Sequence, residues 1–530
     1  MAFAQTASRG ADLALLFEKA HAAHREGALA LAERRYKAVL ARDPDHADAL
    51  HLLGYLNYQA GRPVQALRYL AHALKHDGRS SALLSTYGLV LHALGRIGEA
   101  LTQYDAALAL APDDADLLNR RGAACLRLDR AEEALATFDR VLARDAEHAD
   151  ALGNRGNTLV ALNRPEEAIA SYDAAIRLGG ESAQLLTNRA HALRRLDRLD
   201  EAIADLDRAL KRNPDFAEAR FELALTQLAR GETAEGWANY ECRWQTGAFA
   251  VHRRSFKSPL WTGEQALAGR TVLLHAEQGF GDAIQFARYA PLVAERGATV
   301  VLEVQPELKR LIAGAAGVDR VVARGEKVVS FDFHCPLMSL PRAFGTTVGS
   351  VPSATAFHVR DTDVAAWAAR LPQGRPRIGV SWAGRGSHNN DINRSLPLAR
   401  FARLSEGVDA DFISLQYRPS EDERALLQGR GNVFDASPLL HDFADTAALM
   451  KNLDVVVSVD TAIAHLAGAL AIPTLVMLPF AADFRWLRER ADSPWYPSVT
   501  LFRQPRFADW PPVIEDVRAH LVRMVAARRS

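Results

Sequence analysis

A glycine-rich turn near the middle of the chain ends in a carboxylate. The run 277–282, Glu-Gln-Gly-Phe-Gly-Asp, follows a short apolar segment and precedes a helical pattern. Glycines permit a tight turn and close backbone approach, and the amino end of the next helix attracts anions. Asp282 is therefore a candidate general base that takes a proton from an acceptor hydroxyl. On spacing alone, a first-turn carboxylate that only stabilises its helix, by about 0.5–2 kcal/mol, is the favoured alternative. We assign three neighbours to the acceptor side: Gln278, Gly279 and Gly281.

A second polar stretch, rich in glycine, arginine and asparagine, follows an apolar segment that ends at Trp382. Arg385 and Arg394 lie in this stretch, and either guanidinium can neutralise a diphosphate. Gln416 directly follows the next apolar segment, where it is placed to touch a base or a phosphate. We assign Trp382, the two arginines and Gln416 to donor binding, with a mobile surface loop as the alternative for this stretch.

A third cluster begins where the apolar run 455–459 meets Asp460 and Thr461, followed at once by a helix of small residues. The unpaired backbone N–H groups of that helix and the threonine hydroxyl converge on one point, which suits a pyrophosphate. Asp460 can accept a hydrogen bond from a ribose or sugar hydroxyl. We add Ala462 and His465 to the donor side. An ordinary capped helix with a packed histidine remains the alternative.

The elements that position these clusters alternate between strand and helix from residue 269 onward. This order predicts parallel βαβ units with right-handed crossovers. The predicted strands are 271–275, 299–304, 318–322, 377–382, 411–415, 455–459, 474–478 and 499–502. A break near residue 372 divides them into two Rossmann-like halves, 269–372 and 373–530, the second ending in an amphipathic helix. Ligands of open α/β sheets bind at the carboxyl ends of the strands, where all three clusters stand.

The first half of the chain repeats with a period of 34 residues. Glycine recurs at positions 54, 88, 122 and 156, and alanine continues the series at 20, 190 and 224. Sixteen residues after each of these small residues comes a large apolar one. The seven are Tyr36, Leu70, Tyr104, Phe138, Tyr172, Leu206 and Tyr240. A small residue lets two antiparallel helices approach, and the large residue fills the groove beside it. Seven such units, over 13–246, resemble tetratricopeptide (TPR) repeats and predict an α-solenoid with a concave surface, joined to the α/β region by a connector at 247–268.

Asparagines fall on the first helices of the repeats, which line the inner surface of a TPR superhelix. They are Asn119, Asn154, Asn157 and Asn188. Such side chains can hydrogen-bond an extended peptide, so we expect a protein partner in this groove. Solvated asparagines on a rigid spacer or a dimerisation arm are the alternative.

Composition narrows the class of protein. Lys+Arg and Asp+Glu are equal at 64 each in 530 residues, so no basic excess indicates a nucleic-acid partner. Three distant cysteines indicate neither a zinc site nor a disulfide framework, which is typical of a reducing compartment. The first ten residues lack a signal-peptide pattern, and no apolar run is long enough to cross a membrane. We therefore expect a soluble, cytoplasmic protein.

From about residue 269 to its end, the chain resembles glycosyltransferases of the GT-B fold, specifically the family 9 type represented by heptosyltransferases. The resemblance rests on 279–282 and 458–468. It implies that Asp282 is the general base and that the nucleotide sugar contacts a set in the second lobe: Asp460, Thr461, Ala462 and His465. It also implies inversion at the anomeric carbon without a bound metal or cofactor.

This sequence departs from the family in two respects. The first lobe is short, and the lysine that often lies after the first strand of the second lobe is not evident; Arg385 or Arg394 stands in that loop. Repeats joined to such a domain also resemble, in architecture, the O-linked GlcNAc transferases.

The sequence thus predicts an inverting, metal-independent hexosyl- or heptosyltransferase. It would move a sugar from a nucleotide-diphosphate donor to an acceptor hydroxyl, with the repeats recruiting an acceptor protein or glycan, or a partner protein. The alternative is a TPR interaction scaffold whose GT-B-like domain binds a nucleotide sugar without turning it over. The Asp-Ala-Asp tripeptide at 409–411 resembles the metal motif of another transferase fold, but it opens a predicted strand instead of following one.

Overall fold

The computed structural model describes residues 2–384, 386 and 390–527, and the chain forms two compact units, Met1–Ala192 and Leu193–Ser530. The helices of the repeat region are α1 (Ala2–Arg25), α2 (Leu29–Leu40), α3 (Ala47–Gln59), α4 (Pro63–His76), α5 (Ser81–Ala93), α6 (Ile97–Leu110), α7 (Ala115–Arg127), α8 (Ala131–Leu142), α9 (Ala149–Ala161), α10 (Pro165–Gly179), α11 (Ala183–Arg195), α12 (Leu199–Arg212), α13 (Ala217–Arg230) and α14 (Thr233–Tyr240). Within the described residues, these fourteen helices make seven consecutive pairs, and the predicted TPR solenoid is confirmed.

Packing requires glycine at the small position of four repeats, residues 54, 88, 122 and 156. A Cβ atom added to Gly88 would lie 2.6 Å from Cε1 of Tyr104, and one added to Gly122 would lie 2.7 Å from Cε1 of Phe138. Real Cβ atoms do not approach neighbours this closely. The two helices of a repeat therefore touch through the glycine, as the period of 34 residues predicts.

A second series with the same period sets the turn inside each repeat. Residues 27, 61, 95, 129, 163, 197 and 231 all have a positive φ, between 58° and 87°. Four of them are glycine, two are aspartate and one is asparagine. These residue types adopt the left-handed conformation at least cost. A residue in this conformation ends the first helix of each repeat, so that the chain can turn back into the second helix.

The second unit continues with the α/β region. Its helices are α15 (Gly247–Ala250), α16 (Phe280–Phe286), α17 (Ala290–Glu295), α18 (Lys309–Ile312), α19 (Leu340–Ala343), α20 (Asp361–Ala368), α21 (Asp391–Arg394), α22 (Leu398–Phe401), α23 (Glu421–Gln428), α24 (Phe443–Met450), α25 (Ala462–Ala469) and α26 (Pro511–Ala527). Its strands are β1 (Thr271–His275), β2 (Thr299–Val304), β3 (Arg320–Ala323), β4 (Phe333–Pro336), β5 (Arg377–Ser381), β6 (Asp411–Ser414), β7 (Val433–Asp435), β8 (Val455–Val459), β9 (Thr474–Leu478) and β10 (Val499–Arg503).

The strands form two parallel sheets in the described part of the chain. The first has the order β3-β2-β1-β4, and the second has the order β10-β9-β8-β5-β6-β7. Read from β7, the second sheet has the 3-2-1-4-5-6 order of a doubly wound nucleotide-binding fold. The order of each sheet reverses beside its first strand, between β1 and β4 and between β5 and β8.

The core of the second unit includes its last repeat. Trp237 and Tyr240 of α14 are buried among the side chains of the first sheet. The ring of Trp237 meets the rings of Phe286 and Phe484 edge to face, with centroids 6.0 and 5.5 Å apart. The 34-residue repeat pattern of the sequence ends near residue 246, whereas the two compact units divide at residue 192. The packing of Trp237 and Tyr240 holds α13 and α14 to the α/β region.

The C-terminal helix α26 packs on the second sheet. Val513, Val517 and Leu521 are buried with Val380, Val457 and other side chains of β5, β8 and β9. The amphipathic helix expected at the end of the second half is therefore present, and its apolar side chains cover the second sheet. No helix in the described chain is long and apolar enough to span a bilayer.

Candidate functional site

The three clusters stand at the points where strand order reverses. The Gly279–Asp282 turn follows β1, the stretch after Trp382 follows β5, and the Asp460–Thr461 turn follows β8. In doubly wound sheets, the crevice for a ligand opens at this position, because the helices after the two strands depart to opposite faces. Placing all three clusters there gives the strongest structural reason to treat them as one candidate site.

Asp282 lies in the first turn of α16 and is only partly covered. Its Oδ2 accepts a hydrogen bond of 2.8 Å from the N–H of Gly279, the N-cap residue directly before the helix. Its Oδ1 forms an ion pair with Arg485, and 19% of its side chain is exposed. The carboxylate therefore stabilises its helix and holds a partner 203 residues away in sequence.

Arg485 is the cation at the centre of this arrangement, and the sequence did not single it out. Its guanidinium donates to the amide oxygen of Gln285 at 2.6 Å and to Asp483 at 2.7 Å, besides the ion pair with Asp282. Burial alone would lower the pKa of Arg485, but the carboxylates of Asp483 and Asp282 outweigh it and raise that pKa. Arg485 stays charged between two carboxylates. The only signal in the sequence was the segment 483–486, Asp-Phe-Arg-Trp, in which two charged residues alternate with two aromatic ones.

The Asp460–Thr461 turn caps α25. The hydroxyl of Thr461 accepts from the N–H of Ile463 at 3.3 Å and lies 3.1 Å from the hydroxyl of Ser458. The carbonyl oxygen of Asp460 accepts from Nη1 of Arg394 at 3.0 Å, so the stretch after β5 and the turn after β8 are joined. Burial, followed by the nearby charge of Asp483, raises the pKa of Asp460 to about 6.

His465 sits one turn into α25 and is buried. Its Nδ1 lies 3.1 Å from the hydroxyl of Tyr496, and its ring stacks on Trp486 with centroids 5.4 Å apart. Burial lowers the pKa of His465 to about 3, so the imidazole is neutral near pH 7. Gly281 lies against this ring, because a Cβ atom there would be 2.7 Å from Cδ2 of His465. The turn at 279–282 and helix α25 therefore meet directly.

Trp382 and Gln416 hold the ends of two strands together. The indole N–H of the fully buried Trp382 donates to Glu423 at 2.6 Å. The amide oxygen of Gln416 accepts from Ser381 Oγ and from the N–H groups of Trp382 and Ala383, each at 3.2 Å. Its amide nitrogen donates to the carbonyl of Ala383. Both side chains thus shape the loop after β5, and Arg385 lies outside the described residues.

Gln278 and its neighbour connect the turn to the last repeat. Nε2 of Gln278 donates to the hydroxyl of Tyr240 at 2.7 Å. Glu277 is fully enclosed and lies 3.1 Å from Arg243, which is itself buried. Burial is the main reason that the pKa of Glu277 rises to about 7, although Arg243 acts against it. Side chains at the carboxyl end of the repeats therefore support the turn that carries Asp282.

In the first unit, the asparagines of the predicted groove bind one another. Nδ2 of Asn154 donates to Oδ1 of Asn119 at 2.9 Å, and Nδ2 of Asn188 donates to Oδ1 of Asn157 at 2.8 Å. Each bond joins successive first helices, and His51 makes a similar contact with Thr86 at 2.9 Å. The asparagines thus form a polar ladder along the stack, and part of their hydrogen-bonding capacity is already used.

Two other acidic positions lie at the ends of strands. Glu303, at the end of β2, forms an ion pair with Arg254. Asp411 opens β6, so the Asp-Ala-Asp tripeptide lies at the amino end of that strand, opposite the edge that carries the candidate site.

Comparison with known proteins identifies the repeats. Residues 88–129 match a TPR repeat model, and residues 23–87, 127–183 and 187–237 match tetratricopeptide repeat models. Protein FlbA of Caulobacter vibrioides is 28% identical over 333 residues, covering 58% of this chain and 55% of that protein. The chain thus spans about half the length of this curated relative.

Solved structures of TPR proteins align with part of the chain. A tetratricopeptide repeat protein from Parabacteroides merdae aligns with a TM-score of 0.39 and 20% identity, over 44% of this chain and 93% of its own. The TPR protein TTC0263 from Thermus thermophilus aligns with a TM-score of 0.31 and 23% identity, over 34% of this chain and 99% of its own.

Proposed function

We propose that the α/β region, with its two sheets in a GT-B arrangement, is an inverting, metal-independent hexosyl- or heptosyltransferase. It would move a sugar from a nucleotide-diphosphate donor to an acceptor hydroxyl. The observation that carries this proposal is the meeting of two turns: the one that holds Asp282 and the one formed by Asp460 and Thr461. Each turn follows a strand at a reversal of strand order, and Gly281 touches His465 between them.

On the donor side, the diphosphate would lie at the amino end of α25. Backbone N–H groups at a helix start and nearby guanidinium groups bind phosphate oxygens well. Arg394 is held at this position by the carbonyl of Asp460, and Arg485 lies close enough for its charge to act on Asp460. These fixed positive groups would stabilise the charge that develops on the departing nucleoside diphosphate.

On the acceptor side, Asp282 would take the proton of the attacking hydroxyl. To do so, Oδ1 must exchange its ion pair with Arg485 for the acceptor, while Oδ2 keeps its bond to Gly279. The released guanidinium would then turn to the diphosphate. Since Asp460 is 8% exposed and His465 is 5% exposed, substrate entry requires the two turns to separate first. Such opening is common in enzymes that enclose their substrates.

The repeats would recruit the acceptor, a protein or glycan, or a partner protein. TPR repeats bind proteins through their surfaces, so the repeats would attach such a partner to the chain that carries the site. We place the reaction in the cytoplasm, because the cysteines of the described chain are buried free thiols, as is usual in reducing compartments.

The second candidate is a scaffold that binds a nucleotide sugar without transferring it. The contacts of Asp282 favour this reading, because its two oxygens are already used by the helix start and by Arg485. In that case Asp282 would be a structural residue, and donor binding would not lead to release of the nucleoside diphosphate.

A thermal-shift screen against a panel of nucleotide sugars tests the donor site. A ligand at about 100 times its Kd stabilises the folded state by roughly 2.7 kcal/mol, so one member of the panel should raise the Tm clearly. The variant Arg394→Gln should lose most of that shift, whereas Arg518→Gln, a surface change on α26, should retain it. Equal shifts in both variants would remove Arg394 from the donor site, and no shift with any nucleotide sugar would contradict the proposal.

A further inference from the structure

A cluster of two histidines and one aspartate lies on the second repeat, apart from the candidate site. His72 and His76 are one turn apart on α4, and Asp45 lies in the loop between α2 and α3. One carboxylate oxygen, Oδ1 of Asp45, lies 3.0 Å from Nε2 of His72 and 3.2 Å from Nε2 of His76. The side chains keep 37–59% of their surface exposed, so solvent reaches all three.

The spacing of these atoms matches the edges of a metal coordination shell. Two ligand atoms that each lie 2.0–2.1 Å from one ion are about 2.9 Å apart in octahedral geometry and about 3.4 Å apart in tetrahedral geometry. The distances from Oδ1 of Asp45 to Nε2 of His72 and to Nε2 of His76 both fall in this interval. All three ligand atoms lie within 4.8 Å of one another. Small rotations of the two exposed histidines would bring their nitrogen atoms to the same spacing.

The type of donor selects the type of ion. Imidazole nitrogen suits zinc and other divalent first-row transition metals, whereas magnesium and calcium prefer shells made of oxygen. Two histidines four residues apart on a helix place both rings on one face. The carboxylate comes from a different element, so an ion would also tie the α2–α3 loop to α4.

We propose that Asp45, His72 and His76 bind one divalent transition-metal ion, with zinc as the reference ion. Three protein ligands leave at least one position for water or for a group supplied by a binding partner. The ion would join the end of the first repeat to the second helix of the second repeat and stiffen this end of the solenoid. The proposal does not depend on the glycosyltransferase assignment, because all of its ligands lie in the first unit.

Calorimetric titration of the full, tag-free chain, freed of metal with a chelator, tests the site. We expect one zinc equivalent to bind with an affinity that falls at least tenfold in His72→Gln/His76→Gln and in Asp45→Asn. These exposed changes keep polar side chains, and circular dichroism should show unchanged helix content. His252→Gln changes one of the exposed histidines of the other unit; it is the matched control and should bind zinc like the wild type.

Cobalt provides a readout that folding alone does not produce. Bound Co²⁺ should show visible absorption bands that are absent in the double variant, and magnesium in tenfold excess should not displace it. The proposal is overturned if the wild type does not bind one equivalent of zinc saturably, or if the double variant binds zinc equally well. It is also overturned if magnesium at equal concentration displaces the bound metal.

Discussion

A Cβ atom on Gly281 would lie 2.7 Å from Cδ2 of His465, so helices α16 and α25 touch at a position that has no room for a side chain. The two residues belong to helices that follow β1 and β8, strands of different sheets. Gly281 does not have a positive φ. Glycine is therefore required at this position by the close approach of the His465 ring and not by the backbone conformation. The contact brings a candidate acceptor-side turn and a candidate donor-side helix together.

We expect Gly281→Ala to destabilise the second unit by about 1–3 kcal/mol, the usual cost of adding a carbon atom to a packed contact. The neighbour is the ring of a buried histidine, which stacks on Trp486 and contacts Tyr496, so it cannot move away freely. Urea unfolding followed by tryptophan fluorescence measures the change. Gly349→Ala is the control, because nothing lies within 4 Å of its Cβ position, and it should stay within about 1 kcal/mol of wild type. Equal stability of the two variants would show that α16 and α25 are not tightly packed.

A second prediction concerns the repeats. We expect Gly122→Ala to lower the Tm, because the new Cβ atom would lie 2.7 Å from both Cε1 and Cζ of Phe138. The chain itself pairs alanine with leucine at positions 190 and 206 of a later repeat. The double variant Gly122→Ala/Phe138→Leu copies that pair and should recover part of the lost Tm in a calorimetric scan. If the second change adds to the loss, the two residues do not share one packing site.

The third prediction follows from buried Glu277, whose pKa burial raises from 4.5 to about 7. Between these pH values, the folded chain keeps a proton that the unfolded chain releases. The contribution of Glu277 to stability is therefore lost as the pH rises from 4.5 through 7. We expect Glu277→Gln, which does not titrate, to gain stability relative to wild type across this window. Urea midpoints at pH 4.5, 5.5, 7 and 8 measure the difference, and a difference that does not change with pH would contradict the assignment.

The repeats were predictable from the sequence because their structure depends on short, regular spacings. The pairing of Gly88 with Tyr104, and its equivalents every 34 residues, joins two helices that are adjacent in the chain. The period therefore gave the seven helix pairs, the small and large packing positions, and the region that matches TPR models.

The sheets were predictable only in part. The strands β4 and β7 were missed, since they have four and three residues and include a proline and a charged residue. Such segments carry no alternation long enough to detect. β4 forms because it pairs with β1, and that register joins Val272 to Phe333, sixty-one residues apart. Distant pairing of this kind cannot be seen from local sequence.

The candidate site was also predictable only in part. The turns at Asp282 and Asp460 were found because each follows an apolar strand with residues typical of a helix start. Arg485 was missed, because its contacts with Asp282 and Gln285 span about two hundred residues. Gln416 was assigned to a ligand on its position alone, whereas the structure shows its amide holding the loop after β5. Whether that loop also binds a donor stays a prediction.

The general-base role of Asp282 is the central claim, and Asp282→Asn tests it most directly. The amide oxygen of asparagine can still accept the N–H of Gly279, so α16 keeps its start while the base is removed. Release of nucleoside diphosphate from the nucleotide sugar that raises the Tm, with and without added acceptor, should be followed in wild type and variant side by side. We predict a loss of about 10²- to 10⁴-fold in rate, with a thermal shift by the donor close to that of wild type. An Asp282→Asn variant that binds the donor and releases nucleoside diphosphate at the wild-type rate would contradict the account.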